Sequence, residues 1–299
     1  MKTIGIAVTD HHDWTGIALC NAVKHYEMQP VKFSFSDATS NISSAKIYAG
    51  SIDLTALDAV IVRDMGPATQ DDAAFRFDIL CHLKELGIEV INSPDSIARA
   101  ANKYVSSYLF QRNGIPTPET VVTNSRNEAL AALSYFGCAV VKPVFGYKGL
   151  GVERLSNDDT GIHKLKNLLE KNRLLYMQEF IPNPGRDIRV FVVGREVVGS
   201  IYRSAPHGGW INNLSQGGIA KPCILTDEQE RLGLKAAEVI GAVYAGVDII
   251  EGDRDYVIEI NGTPSGKGIF EACGVDVTMS IVEYLKGINT PYLNTGYRK

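Results

Sequence analysis

Near the end of the chain, Gly246-Val247-Asp248-Ile249-Ile250-Glu251-Gly252-Asp253-Arg254-Asp255-Tyr256-Val257-Ile258-Glu259-Ile260-Asn261-Gly262 sets two apolar runs around a polar turn. That pattern reads as a β-hairpin. Its isoleucines and valines mark it as buried, so other layers of structure must cover it. With the turn centred between Asp253 and Arg254, Asp248 stands directly opposite Glu259. Directly opposed residues share a face, with Cβ atoms about 5 Å apart. Asn261 joins that face by the strand's alternation. Two carboxylates and an amide oxygen therefore converge, and no basic residue of the two strands answers them. Buried charges without partners are costly, and a hard divalent cation relieves the cost. An all-oxygen set suits magnesium, with manganese as a substitute. The alternative reading is a solvated hairpin whose acidic residues fall there by chance.

The rest of the chain says what such a hairpin belongs to. A length of 299 residues suggests two or three units. A formal net charge of −4, without a Lys/Arg-rich block, argues against nucleic acid and anionic membrane as partners. The five cysteines are scattered and form no C-x-x-C pair. That disfavours zinc ribbons and thioredoxin chemistry, and suits reduced thiols in a cytoplasmic protein. The first residues enter a strand at once, with no signal-peptide pattern and no 18-residue apolar span.

Residues 1–92 alternate strand and helix signals, which implies a parallel, doubly wound α/β sheet. Strands are expected at Ile4–Val8, Val31–Phe35, Ala59–Val62 and Glu89–Ile91. A helix starts at Pro94 and runs unbroken through Lys103 to Arg112. The second unit, 93–180, continues with strands around a glycine-rich turn. Capping boxes at Ser125–Glu128 and Thr226–Gln229 open two further helices. The third unit, 181–299, reads as α+β, with antiparallel strands at Asp187–Val193 and Val197–Tyr202.

Gly146-Tyr147-Lys148-Gly149-Leu150-Gly151 follows a strand. Backbone N–H groups of such loops cradle phosphates. It is neither a Walker loop nor a dinucleotide fingerprint, because a strand follows it rather than a helix. A plain hairpin turn is the competing reading. Lys142 sits in an apolar strand just before it, and lysines are seldom buried without a partner, so an anionic ligand fits. Lys103 points to the same phosphates, or is a solvated helix lysine. Asp187 and Arg189 share one strand face, either near the ligand or as an ion pair with each other. Arg203 lies past the end of the next strand, with Asn212 and Asn213 in the loop beyond. An arginine near a metal suits a phosphoryl group in transfer. Arg63 follows the Ala59–Val62 strand, where open α/β sheets place ligands. It is a candidate for a substrate carboxylate or a structural salt bridge. His207 and the His11-His12 pair have no visible nucleophile or metal partner.

Taken in order, these stretches resemble the ATP-grasp superfamily, and more narrowly the RimK-type α-L-glutamate ligases. The resemblance rests on Ser96 to Lys103, Val140-Val141-Lys142-Pro143, Gly146 to Gly151, Gln178-Glu179-Phe180-Ile181 and Asp187-Ile188-Arg189. It continues through Asn213 to Gly218, Ala245 to Asp248 and Glu259 to Pro264. It implies an ATP-grasp fold behind a parallel α/β N-terminal domain. It implies that Lys103 and Lys142 bind phosphates, with Gly146, Lys148, Gly149 and Gly151 closing over them. Gln178, Glu179, Phe180 and Ile181 would form the adenine hinge, with Glu179 and Phe180 acting through backbone. Asp187 would lie on the ribose side and Asn212 and Asn213 at the phosphate end, with Arg189 and Ile211 also binding the nucleotide. Asp248, Glu259 and Asn261 would hold magnesium, with Asn261 and Arg63 facing substrate. Arg203 and Lys142 would be catalytic.

Ile211 stands where the ribosomal-protein-modifying enzyme is expected to carry a basic residue, which argues against a ribosomal substrate. Asp13-Trp14-Thr15-Gly16 and Val62-Arg63-Asp64-Met65-Gly66 look closer to the ligases that add glutamate to the pterin coenzyme tetrahydromethanopterin. The expected reaction joins L-glutamate to a small-molecule carboxylate acceptor through an acylphosphate, releasing ADP. A homo-oligomer is the expected assembly. The rivals are a ligase of lysine or arginine biosynthesis acting on a carrier protein, and a nucleotide-binding regulatory protein on the same fold.

Overall fold

The computed structural model describes residues 1–146, 149–206 and 212–288. The first unit holds β1 (Thr3–Ala7), α1 (Trp14–His25), β2 (Gln29–Phe33), β3 (Ala38–Asn41), β4 (Lys46–Ala49), β5 (Ile52–Asp53), β6 (Ala59–Val62), α2 (Gln70–Glu85) and β7 (Glu89–Ile91). Four of these strands make a parallel sheet in the order β2-β1-β6-β7. Ile4, Ile6 and all of β6 are fully buried, as strands covered on both faces must be. Two details depart from the sequence reading. The second strand ends at Phe33, and Phe35 begins a short 3-10 turn. Residues 38–53, which carry no strong period, form a separate antiparallel sheet, β3-β4-β5.

The expected long helix is two, α3 (Pro94–Ala101) and α4 (Lys103–Arg112). Asn102 between them is extended and pairs as an isolated bridge with Phe145. Its side chain accepts from Tyr104 and Val105 N–H, capping α4. The break has a consequence for the site, because it makes Lys103 the first residue of a helix and ties its N–H to Val144 O at 3.1 Å.

β8 (Thr120–Thr123), α5 (Arg126–Phe136), β9 (Cys138–Lys142), β10 (Glu153–Ser156), α6 (Asp159–Asn172) and β11 (Leu175–Glu179) follow. Their antiparallel sheet runs β10-β9-β11-β8. Its core, which includes Leu133, Val141, Leu155, Leu165 and Met177, is drawn wholly from this unit. Ser125 caps α5 in one direction, accepting from Glu128 N–H.

The last unit holds β12 (Arg186–Val193), β13 (Glu196–Ser204), β14 (Ile219–Pro222), α7 (Asp227–Ile240), β15 (Tyr244–Glu251), β16 (Asp255–Asn261), α8 (Lys267–Cys273) and α9 (Val277–Ile288). Thr226 and Gln229 form the reciprocal capping box at α7. The sheet is antiparallel in the order β14-β13-β12-β15-β16. One face packs with α4 and α7; the other shares a core with β1, β6 and α9, joining the first and last units. Asn92 locks that joint. It is fully buried, donates to Tyr244 O and Gly262 O, and accepts from Val243 and Tyr244 N–H. Those four bonds use the full capacity of an amide side chain. Among the described residues no helix is long and apolar enough to cross a membrane.

Candidate active site

A cleft opens between the β9–β11 sheet and the β12–β16 sheet. Its lining includes Lys103, Lys142, Gly146, Gly149, Gln178, Glu179, Phe180, Ile181, Asp187, Arg203, Asn212, Asn213, Asp248 and Glu259. Most of the residues singled out in the sequence thus meet in one place. Lys148, His207 and Ile211 lie outside the described residues. Gly151, Arg189 and Asn261 are not part of the lining, and neither is Arg63. Its Nε and Nη2 donate to Asp13, and Nη1 to Thr263 O at 3.2 Å. Of its two readings, the salt bridge is the one seen.

The acidic hairpin pairs as its composition implied, with Asp248 opposite Glu259. The turn is displaced, because Glu251 pairs with Asp255 and the axis falls on Asp253. A bulge restores the pairing: Ile258 is an extra residue between the partners of Ile249 and Asp248. Bulges re-aim side chains, and Ile258 and Glu259 both line the cleft. Val140, Leu150, Val152 and Ile250 complete its apolar wall. The sequence reading missed these four. Alternation was the available signal for two of them, since Val140 and Ile250 each lie two residues from a charged residue of the cleft.

The two carboxylates are not unpaired, and this corrects the expectation from the hairpin alone. Arg189 stands directly opposite Asp248 across β12 and β15. Its Nε bonds one carboxylate oxygen and its Nη2 the other, the latter at 3.0 Å. Gly246 permits this, since a Cβ there would lie 2.9 Å from Arg189 Nη1. Arg203 belongs to β13 rather than to the loop beyond it, and stands opposite Asp187. Its Nε reaches Asp187 at 2.6 Å and its Nη2 reaches Asp248 at 2.9 Å. Lys103 Nζ lies 3.0 Å from Glu259 Oε1 and donates to Gly146 O at 3.2 Å. Arg203 is therefore not a free cation, Asp187 spends its charge on Arg203, and Arg189 pairs with Asp248 rather than with Asp187.

Charge states follow from these contacts. Burial opposes ionisation of Asp248, but Arg189 and Arg203 outweigh it and hold its carboxyl below the usual range. Burial dominates at Asp187 and raises its pKa despite Arg203. For Arg203, the pull of Asp248 and Asp187 overcomes burial, so it stays charged. Burial lowers Lys142 to about 8. Its ammonium donates to Gln178 Oε1 at 2.6 Å.

The glycine loop joins β9 to β10 as a hairpin connection. Gly149 and Gly151 both take φ of +71°, a left-handed backbone that favours glycine. At the hinge, Glu179 N–H donates to Glu119 O and Phe180 N–H to Cys138 O. Those two amides face the protein, so any backbone recognition by these residues falls to their carbonyls.

Among the described residues no group of three His, Cys, Asp or Glu is placed to hold a metal. The donor set is two carboxylates and amides instead. Glu259 has one oxygen engaged. Asn212 is 9% exposed and, among the described residues, its buried Oδ1 has no hydrogen-bond partner. Asn261 Nδ2 reaches Gly246 O at 3.5 Å. Asp248 has both oxygens held by Arg189 and Arg203, so the oxygens left for a hard cation are the second one of Glu259 and Asn212 Oδ1, both in the cleft lining, with Asn261 beside it.

Comparison with known proteins agrees with this geometry. Residues 100–285 match the RimK-like ATP-grasp domain. The tetrahydromethanopterin:alpha-L-glutamate ligase of Methanosarcina acetivorans is 46% identical over 96% of this chain and 100% of its own. The ligase of the same name from Methanocaldococcus jannaschii is 42% identical over 77% of this chain and 79% of its own. The ATP-grasp ligase PsnB, solved with a minimal precursor, has the same fold at a TM-score of 0.77 and 19% identity, over 96% of this chain and 99% of that one. PsnB has also been solved with magnesium and ADP. A matched domain over most of the length and relatives this similar decide the family: the chain belongs to the RimK-like ATP-grasp ligases.

Proposed function

We propose that the protein is an ATP-dependent α-L-glutamate ligase that joins glutamate to a carboxylate of tetrahydromethanopterin. The observation that carries this is likeness over the whole length of the Methanosarcina acetivorans ligase of that name, in a chain whose cleft gathers cations and oxygen donors on facing walls. ATP would lie between the two antiparallel sheets. Its base would meet Val140, Ile250, Ile258 and Phe180, and its phosphates Lys103, Lys142 and the glycine loop. Glu259 and Asn212 Oδ1 would hold magnesium, with Asn261 beside them and manganese as the expected substitute. When bound, that ion supplies charge neutralisation on the phosphates.

The γ-phosphoryl group would pass to an oxygen of the acceptor carboxylate, leaving ADP and an acylphosphate. The amine of glutamate would then attack the acyl carbon, the amide would form, and phosphate would leave with the carboxylate oxygen. Arg203, aimed by Asp187 and Asp248, would stabilise the charge in transfer, and such a contact commonly carries about a hundredfold in rate. No side chain is asked to be a nucleophile. The test is mass spectrometry of products from the protein with ATP, magnesium, glutamate and tetrahydromethanopterin. One glutamate joined per ADP is expected. AMP and pyrophosphate, or no adduct, would overturn the reading.

A further inference from the structure

Among the described residues in and beside the cleft, the cations Lys103, Arg189 and Arg203 have acidic partners. Lys103 pairs with Glu259, Arg189 with Asp248, and Arg203 with Asp187 and Asp248. Lys142 differs, for its partner is the neutral amide of Gln178. Among the described residues no carboxylate lies within ion-pair distance of it.

Strand register explains the contact. Lys142 on β9 stands directly opposite Tyr176 on β11. Gln178 is two residues further on and shares that face. Diagonal neighbours of this kind lie within reach of long side chains. Gln178 is 2% exposed, so its amide must be satisfied by protein. Its orientation is dictated one step back. The Thr120 hydroxyl has one proton, and it donates that proton to Pro118 O at 2.8 Å. Thr120 Oγ1 can then only accept, and it does so from Gln178 Nε2 at 3.2 Å. With its NH₂ end committed, Gln178 must present its oxygen to Lys142.

We propose that Gln178 is a positioning residue: through the chain Pro118–Thr120–Gln178 it aims Lys142 into the cleft while leaving that lysine's charge uncancelled for the phosphates of a nucleotide. This rests on the nucleotide reading of the cleft. A carboxylate at position 178 would hold the lysine but cancel its charge. An alkyl group would leave the lysine unheld.

The inference has a pH signature. Burial sets Lys142 near 8, with Glu259 and Asp248 pulling it up and Lys103 pushing it down. Tyr176, directly opposite, stays neutral because burial raises its own pKa. Bound phosphate favours the ammonium. Nucleotide affinity is therefore full below about 8 and falls as pH rises through it, because a neutral lysine must take up a proton to bind.

The experiment is calorimetric titration of the full chain with ADP and magnesium across this range, for the wild type, Gln178→Glu and Gln178→Leu. Gln178→Glu should weaken binding about tenfold at neutral pH and move the alkaline fall to higher pH. Gln178→Leu removes an acceptor that favours the ammonium, so its fall should move to lower pH. Thr120→Val, which frees the amide to turn, should shift in the same direction as Gln178→Leu, and carries the test if Gln178→Leu does not fold. General structural damage would weaken binding at every pH alike. Alkaline falls that stay in place, or shifts of the same sign in Gln178→Glu and Gln178→Leu, would overturn the proposal. A wild-type protein that binds no ADP would overturn the nucleotide reading, and this inference with it.

Discussion

Asp248 is 2% exposed and carries contacts from two arginines. Removing one arginine leaves Asp248 with the other but deprives it of charged hydrogen bonds, which costs about 1–3 kcal/mol. Arg189→Leu should therefore lower stability by about that much in urea unfolding, and a loss under about 1 kcal/mol would show that the pair does not hold the cleft wall. The depressed pKa of Asp248 gives its contribution a direction in pH. That contribution is complete above the unfolded carboxylate value of about 4 and disappears as pH falls through the folded value. Glu259 is the lighter-loaded partner, with one ion pair and partial exposure. Glu259→Gln should keep the fold and abolish ADP formation; turnover at the wild-type rate would remove Glu259 from the metal set. At this scale the sequence was legible only within a strand pair. Counting back from an assumed turn centre put Asp248 opposite Glu259, and the pairing survives because the displaced turn and the bulge compensate one another. Arg189 lies 59 positions from Asp248, on a strand that no local period names as a neighbour. The carboxylates therefore looked unpartnered when they are not.

Among the elements, the β9–β10 connection and the α3–α4 break do most to shape the cleft. The first was visible in its glycines. The second was not, because Asn102 sits inside a run of good helix formers and is pulled extended by its bridge to Phe145. Tertiary pairing overrides local propensity at such points. Gly149→Ala or Gly151→Ala would force a Cβ into a left-handed backbone, a strain of about 1 kcal/mol. With the loop thus biased, nucleotide affinity should fall about fivefold while the melting temperature barely moves. Binding equal to wild type would show that the loop does not close over the ligand. The extra residue of the acidic hairpin offers a cleaner separation. Deleting Ile258 leaves Asp248 opposite Glu259 and removes one apolar side chain from the wall. Base selectivity should relax before metal dependence changes, which a comparison of ATP with GTP as substrate would read.

For the whole molecule, the parallel first sheet and the antiparallel strands of the last unit were legible from element order and turn signals, whereas the joint between them was not. Asn92 stands two residues ahead of α3 and is the clasp that satisfies the start of β15 and the residues flanking β15 and β16. Replacing it with leucine leaves several buried backbone groups unpaired, each costing about 1–3 kcal/mol. Asn92→Leu should lower the unfolding free energy by at least about 2 kcal/mol, and an unchanged urea midpoint would deny it that role. The β8–β11 sheet with α5 and α6 stands in contrast, for their core is drawn from their own residues alone. Their ties to α4 include Lys103 Nζ to Gly146 O, Lys103 N–H to Val144 O and the buried Ser107–Tyr176 hydroxyl pair. In amide-exchange terms the molecule should keep two clocks. The fused first and last units should exchange as one slow block, and the β8–β11 layer on its own schedule, since its apolar core is not shared with them.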